Sequence, residues 1–343
     1  MKDTHQKTRS AVRRDHAEDY ILTSLVAFAA TVVLTRAFLQ LTGFPQIGNR
    51  VLHIAHALWG GLLLSVAVYL PLAYANRWAI KSSALLGGIG IGLFIDEVGK
   101  FITQANDYFF PAALPLIYGI ILLNVLVYIH FRRPHNENPR DTMYRVFEGL
   151  QDALDGDLDT AEAARIEAQL AIARQSDHTE IARLADAISY YLHKERRHLA
   201  TAEPDFWKRI VRHVDAFGQL VGRRLHRAIV SALLVVWVVF IAGYITVLIQ
   251  GSADLAPQVL EWRLVLIAVQ VAIGGVILVA LATWLTNKEE RGLQFAVGGF
   301  LISLVALQSV QFYLSQFSAI TATLLQLVTL QVLFAYHRWY LRD

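Results

Sequence analysis

The sequence predicts an all-α polytopic membrane protein. It reads as eight transmembrane helices in two parallel four-helix repeats, with a small helical cytoplasmic insert between them. Three observations predict this. First, the 343 residues are 55% hydrophobic and only 17% charged, against roughly 25% charged in soluble domains; the mean hydropathy is +0.42. Second, the apolar residues gather in runs long enough to cross about 30 Å of hydrocarbon, which takes roughly 20 residues of helix. Third, Lys and Arg alternate between successive connections, as they do when every second connection is cytoplasmic.

Residues 1–19 form a basic polar tail with Lys2, Lys7, Arg9, Arg13 and Arg14. The apolar run behind it is too long for a signal-peptide core and lacks a small-residue cleavage site, so it reads as a retained first span. The spans are Tyr20–Thr42, Val51–Ala75, Ala79–Thr103, Ala112–Phe131, Ala228–Gln250, Trp262–Leu285, Leu293–Ser315 and Ala319–Tyr336. Arg77 and Lys81 follow span 2, Lys288 and Arg291 follow span 6, and Arg338 and Arg342 lie in the tail 338–343. The opposite connections hold only Arg50. Both termini and the insert 132–227 are therefore expected in the cytoplasm of a bacterial-type cell, with the chain in the inner (cytoplasmic) membrane. Trp78, Tyr108, Phe109, Trp262 and Trp339 fall where headgroup-level aromatic anchors belong.

The halves 20–131 and 228–337 can be laid over one another. HALWGG from His56 matches QVAIGG from Gln270, GGIGIGLFIDEVGKF from Gly87 matches GGFLISLVALQSVQF from Gly298, and LNVLVYIH ending at His130 matches LQVLFAYH ending at His337. An even number of spans per copy makes the repeats parallel, about an axis along the membrane normal. The match sets His56 against Gln270, Asp96 against Leu307, Glu97 against Gln308 and Lys100 against Gln311. Charge belongs to the first copy, so the expectation is a site in that half and a scaffold in the other. Gln308, Gln311, Gln326 and Gln331 are expected to bond between helices.

The candidate site follows from depth. At 1.5 Å per residue, Arg36 on span 1, His53 and His56 on span 2, and Asp96, Glu97 and Lys100 on span 3 lie about 4–10 Å below the outer surface. Asn106 and Asp107 stand at its mouth. His53 and His56 are three apart, and Lys100 is three and four residues from the acids, so each group shares a helix face. A charge at that depth costs at least about 2.5 kcal/mol unless it finds a partner or water. Three readings are open. One is an outward-facing site that binds or translocates a small solute or ion, with the acids and Lys100 as the switchable charges and the histidines as proton acceptors. Another is a divalent metal such as zinc on His53, His56 and Glu97, activating water for a hydrolase or transferase at the headgroup level; Lys100 would compete with the metal for those acids. The last is a structural ion network in a non-catalytic scaffold.

Cysteine is absent, which excludes disulfides and thiolate chemistry. GxGxG in span 3 follows no strand and is not a phosphate loop. Asp155, Asp157 and Asp159 have the spacing that opens a calcium loop, but Thr160 and Ile166 stand where its Gly and Glu belong. In the insert, Asp159 and Glu162 fit a capping box, and the basic amphipathic stretch Trp207–Arg224 suits an anionic membrane surface. Expected partners are membrane lipids, a protein that docks on the insert, and a second copy of the chain. A net charge of +3 gives no reason to expect a nucleic acid.

Overall fold

The computed structural model describes residues 11–43, 55–133, 138–156, 158–176, 178–195, 222–251, 257–314 and 316–341. Among them all regular structure is helical: α1 Ala17–Thr42, α2 His56–Ala73, α3 Arg77–Asp96, α4 Val98–Ile102, α5 Ala113–Arg132, α6 Pro139–Asp155, α7 Thr160–Arg174, α8 Thr179–Glu195, α9 Arg223–Gln250, α10 Pro257–Leu285, α11 Glu289–Ile302, α12 Gln308–Leu314 and α13 Gln316–Tyr340. A π-helical turn, Ser303–Leu307, joins α11 to α12. Among the described residues, eight helices are long and apolar enough to cross a membrane, counting α11 through α12 as one. Their surfaces carry large exposed apolar side chains such as Leu41, Leu72, Val239 and Val305, which only an apolar solvent or another protein surface would tolerate in such number.

The chain divides into two compact units. The first is Met1–Glu97 with Leu123–Pro204; the second is Val98–Leu122 with Asp205–Asp343. In the first, α3 packs against both α1 and α2, and glycine is the reason. A Cβ at Gly88 would run into the Ser24 carbonyl oxygen of α1, and one at Gly60 of α2 would stand 2.7 Å from that of Gly90. Backbones this close leave no room for side chains, and dispersion between them replaces lipid contacts.

Helices α6–α8 also belong to the first unit. Their core is Met143, Val146, Ile166, Leu170, Ala185, Ile188 and Leu192. Asn138 caps α6 by accepting from the Asp141 amide, and the predicted capping box of α7 is present with both its bonds. Carboxylates of α6 and α7 hold the first turn of α3 and the entry to α1. Arg77 pairs with Asp152 and, at 3.2 Å, with Glu162. Asn76 donates to Asp155 at 2.8 Å, and Glu148 meets Arg14 at 3.1 Å and the Asp15 amide at 2.6 Å. Arg13 donates to the carbonyls of Phe131 and Arg133, which satisfies acceptors that the end of α5 leaves open.

In the second unit the core gathers Trp237, Trp284, Phe300, Leu333 and Tyr336. Each indole finds an acceptor: Trp237 on Thr329 at 2.9 Å and Trp284 on Ser231 at 3.0 Å. Here α10 packs on both α9 and α11, a pairing unlike that of α1–α3.

Several boundaries differ from the sequence expectation. Span 3 is not one helix: α3 stops at Asp96, Glu97 forms a turn, and α4 restarts at Val98. Span 7 is interrupted by its π turn. Span 5 begins at Arg223, five residues before Ala228, because nothing in RRLHR opposes helix. Within the basic stretch Trp207–Arg224, residues 207–221 lie outside the described residues, as do Arg50 and His53.

Candidate functional site

Three helices of the first unit bring four of the predicted site residues together. Arg36 lies two turns from the end of α1, His56 opens α2, Asp96 ends α3, and Glu97 is the turn that follows. The glycine contacts of α3 with α1 and α2 set their separation. Arg36 Nε donates to Asp96 Oδ1 at 2.6 Å, and Nη2 donates to the Asp96 carbonyl at 3.3 Å. The break at Glu97 explains that second bond, since a terminating helix leaves its last carbonyls without intrahelical donors and favours a cation there. His56 lies between the acids, with Nε2 3.1 Å from Asp96 Oδ2 and Nδ1 3.0 Å from Glu97 Oε1.

Burial sorts the four. Arg36, Asp96 and Glu97 are at most 1% exposed, while the His56 side chain is 22% exposed. The imidazole is therefore the least buried part of the cluster. Both of its nitrogens can donate only as imidazolium; neutral imidazole has one donor and one acceptor. Counted over these four side chains, the cluster is neutral with an imidazolium and carries one negative charge when that proton leaves. A change of net charge at such burial is costly.

The other predicted residues belong to the second unit or lie outside the described residues. Lys100 Nζ sits 5.4 Å from the centroid of the Tyr108 ring, close enough for cation–π attraction. Asn106 has a left-handed backbone, φ 51°, and Asp107 Oδ1 accepts from the Phe109 amide at 2.8 Å. Both serve the turn that leads from α4 towards α5. For the metal reading, His56 and Glu97 are adjacent and His53 is outside the described residues; among the described residues no group of three His, Asp or Glu side chains forms a metal-ligand cluster. Sequence reasoning missed the break at Glu97, although a glycine on either side, Gly92 and Gly99, hinted at close backbone approach there.

The fold and this cluster are those of a helical protein compatible with an integral, multi-pass place in a membrane, with an ion network buried among three of its candidate spans. Comparison of the chain with protein families, with curated proteins and with solved structures finds no match.

Proposed function

We propose that the protein binds or translocates a small solute or ion, with proton exchange at His56 as the coupling step. The observation that carries this reading is one partly exposed imidazole bridging two buried carboxylates, with Arg36 fixing the second oxygen of Asp96. With His56 protonated, the four side chains balance one another in charge. Deprotonated, the group presents a buried negative charge that a cation can neutralise. A network that served stability alone gains nothing from an imidazole at the exposed edge, where an arginine would hold both acids permanently.

The site faces outward in this reading, supported by the distribution of Lys and Arg. The tail 1–19, the turn at Arg77 and the insert 132–227 then share the cytoplasmic side of the inner membrane, which agrees with the pairing of Arg14 and Arg77 to carboxylates of α6 and α7. The sequence matches between 20–131 and 228–337 support an ancestral duplication into parallel repeats; the different helix pairings in the two units mean that the copies pack differently.

The test is flux into proteoliposomes that carry a trapped pH indicator. Protons are the probe, with Na+ or K+ gradients imposed in turn. Cation-dependent proton movement that His56→Gln and Asp96→Asn abolish supports the proposal. Wild-type vesicles no leakier than empty ones under either gradient would overturn it, and would leave the cluster as a structural network.

A further inference from the structure

We infer that the second half of the chain holds a binding site of its own for a water-sized, neutral hydrogen-bond donor, in a cavity where four glutamines and Ser303 stand among apolar side chains. Where α9, α10, the π turn, α12 and α13 meet there is a cavity lined by Gln270, Ser303, Gln308, Gln311, Gln326 and Trp237, among others. Its volume is about 10 Å³, room for about one water. All four glutamines are at most 7% exposed. Gln308 Nε2 donates to Gln326 Oε1 at 3.2 Å, yet among the described residues Oε1 of Gln308 and Oε1 of Gln270 have no hydrogen-bond partner. Buried polar atoms without partners are rare and costly. Two of them lining one cavity are accounted for by an occupant that donates to both.

The occupant is neutral because none of the described lining residues is charged and an ion would lose its hydration without a counter-charge. It is small because the room is. The π turn belongs to the same device. Such turns occur often at functional positions, and in this one the Leu304 carbonyl accepts the Tyr118 hydroxyl at 2.7 Å. Gln308 begins the helix directly after it.

The site also has a counterpart. In the alignment of the halves, Gln270 stands against His56 and Gln308 against Glu97, the pair that meets at 3.0 Å in the first unit. The π turn ends where α3 stops. The second copy thus repeats the charged site in uncharged form. This correspondence rests on the proposed duplication; the cavity and its unpartnered oxygens do not, nor do they rest on flux through the first site.

The experiment is solid-state NMR of the full chain in liposomes with 15N-labelled glutamine side chains, with magnetisation transferred from water as the probe. Gln270→Met and Gln308→Met assign the signals and are also melted. Water magnetisation reaching the side-chain amides of both residues, and a Tm lowered by several degrees in each variant, is the expected result. No transfer to either amide in the wild type overturns the inference even if a variant fails to fold. An unchanged or raised Tm in Gln270→Met also overturns it, because removing a polar atom that binds nothing does not destabilise a buried site; Gln308→Met loses its bond to Gln326 in either case.

Discussion

Arg36→Met probes the cluster directly. Methionine keeps most of the aliphatic stem and removes the guanidinium, with its 2.6 Å bond to Asp96 Oδ1 and its 3.3 Å bond to the Asp96 carbonyl. Asp96 is fully buried, so water cannot replace the lost donors, and the acid pair is left with His56 as its cation among these four residues. Removing one partner of a buried ion pair costs about 3–5 kcal/mol. The double variant Arg36→Met, Asp96→Leu removes charge from both sides and leaves His56 paired with Glu97. It should recover at least about 2 kcal/mol of the sum of the single losses, within the coupling seen for contacting residues. Reversible unfolding in mixed micelles, followed by helicity, measures all four corners of the cycle. A cost below about 1 kcal/mol for Arg36→Met, the range of solvated pairs, would refute the reasoning. So would additivity in the cycle.

The glycine contacts predict a contrast between neighbours. Gly60→Ala puts a methyl 2.7 Å from the Gly90 carbonyl oxygen, whereas Gly61→Ala meets nothing within 4 Å; the first should cost about 1–3 kcal/mol as overpacking and the second should be neutral or stabilising by up to about 1 kcal/mol, read in the same unfolding assay. At the other end of α3, burial raises the carboxyls of Asp152 and Glu148, opposed by Arg77 for the first and by the Asp15 amide and Arg14 for the second. A raised folded value means that the folded state holds these protons to higher pH than the unfolded chain does. Their contribution to stability is complete below the ordinary carboxylate range and is lost as pH rises through the raised values. Asp152→Asn with Glu148→Gln should therefore flatten the fall in Tm across that interval, and an unchanged pH profile would contradict the docking of α6 on Arg77 and Arg14.

Much of this was legible in the sequence. Eight apolar runs of the right length appear as eight candidate spans, since helix length and composition answer to the thickness and polarity of the solvent. The Asp159–Glu162 box was readable because a cap is a contact over three residues. The level shared by Arg36, His56, Asp96 and Glu97 was readable from rise per residue alone.

Other features were not. Helical periodicity says which residues share a face but not which neighbouring helix that face meets. That Asp96 would take Arg36, and that His56 would bridge two acids, depended on the rotation of α1 and α2 about α3, which glycine-to-backbone contacts decide. The stop at Glu97 and the π turn before Gln308 have no propensity signature, because each is stabilised by distant partners: Arg36 on the terminal carbonyl of α3, Tyr118 on the carbonyl of Leu304. The glutamines of spans 6, 7 and 8 looked like ordinary interhelical bonds, and only packing revealed a cavity between them. Local sequence determined the spans and the caps. Tertiary structure decided which of those groups touch, because contacts between helices depend on azimuth and backbone distance, and no window of a single helix encodes either.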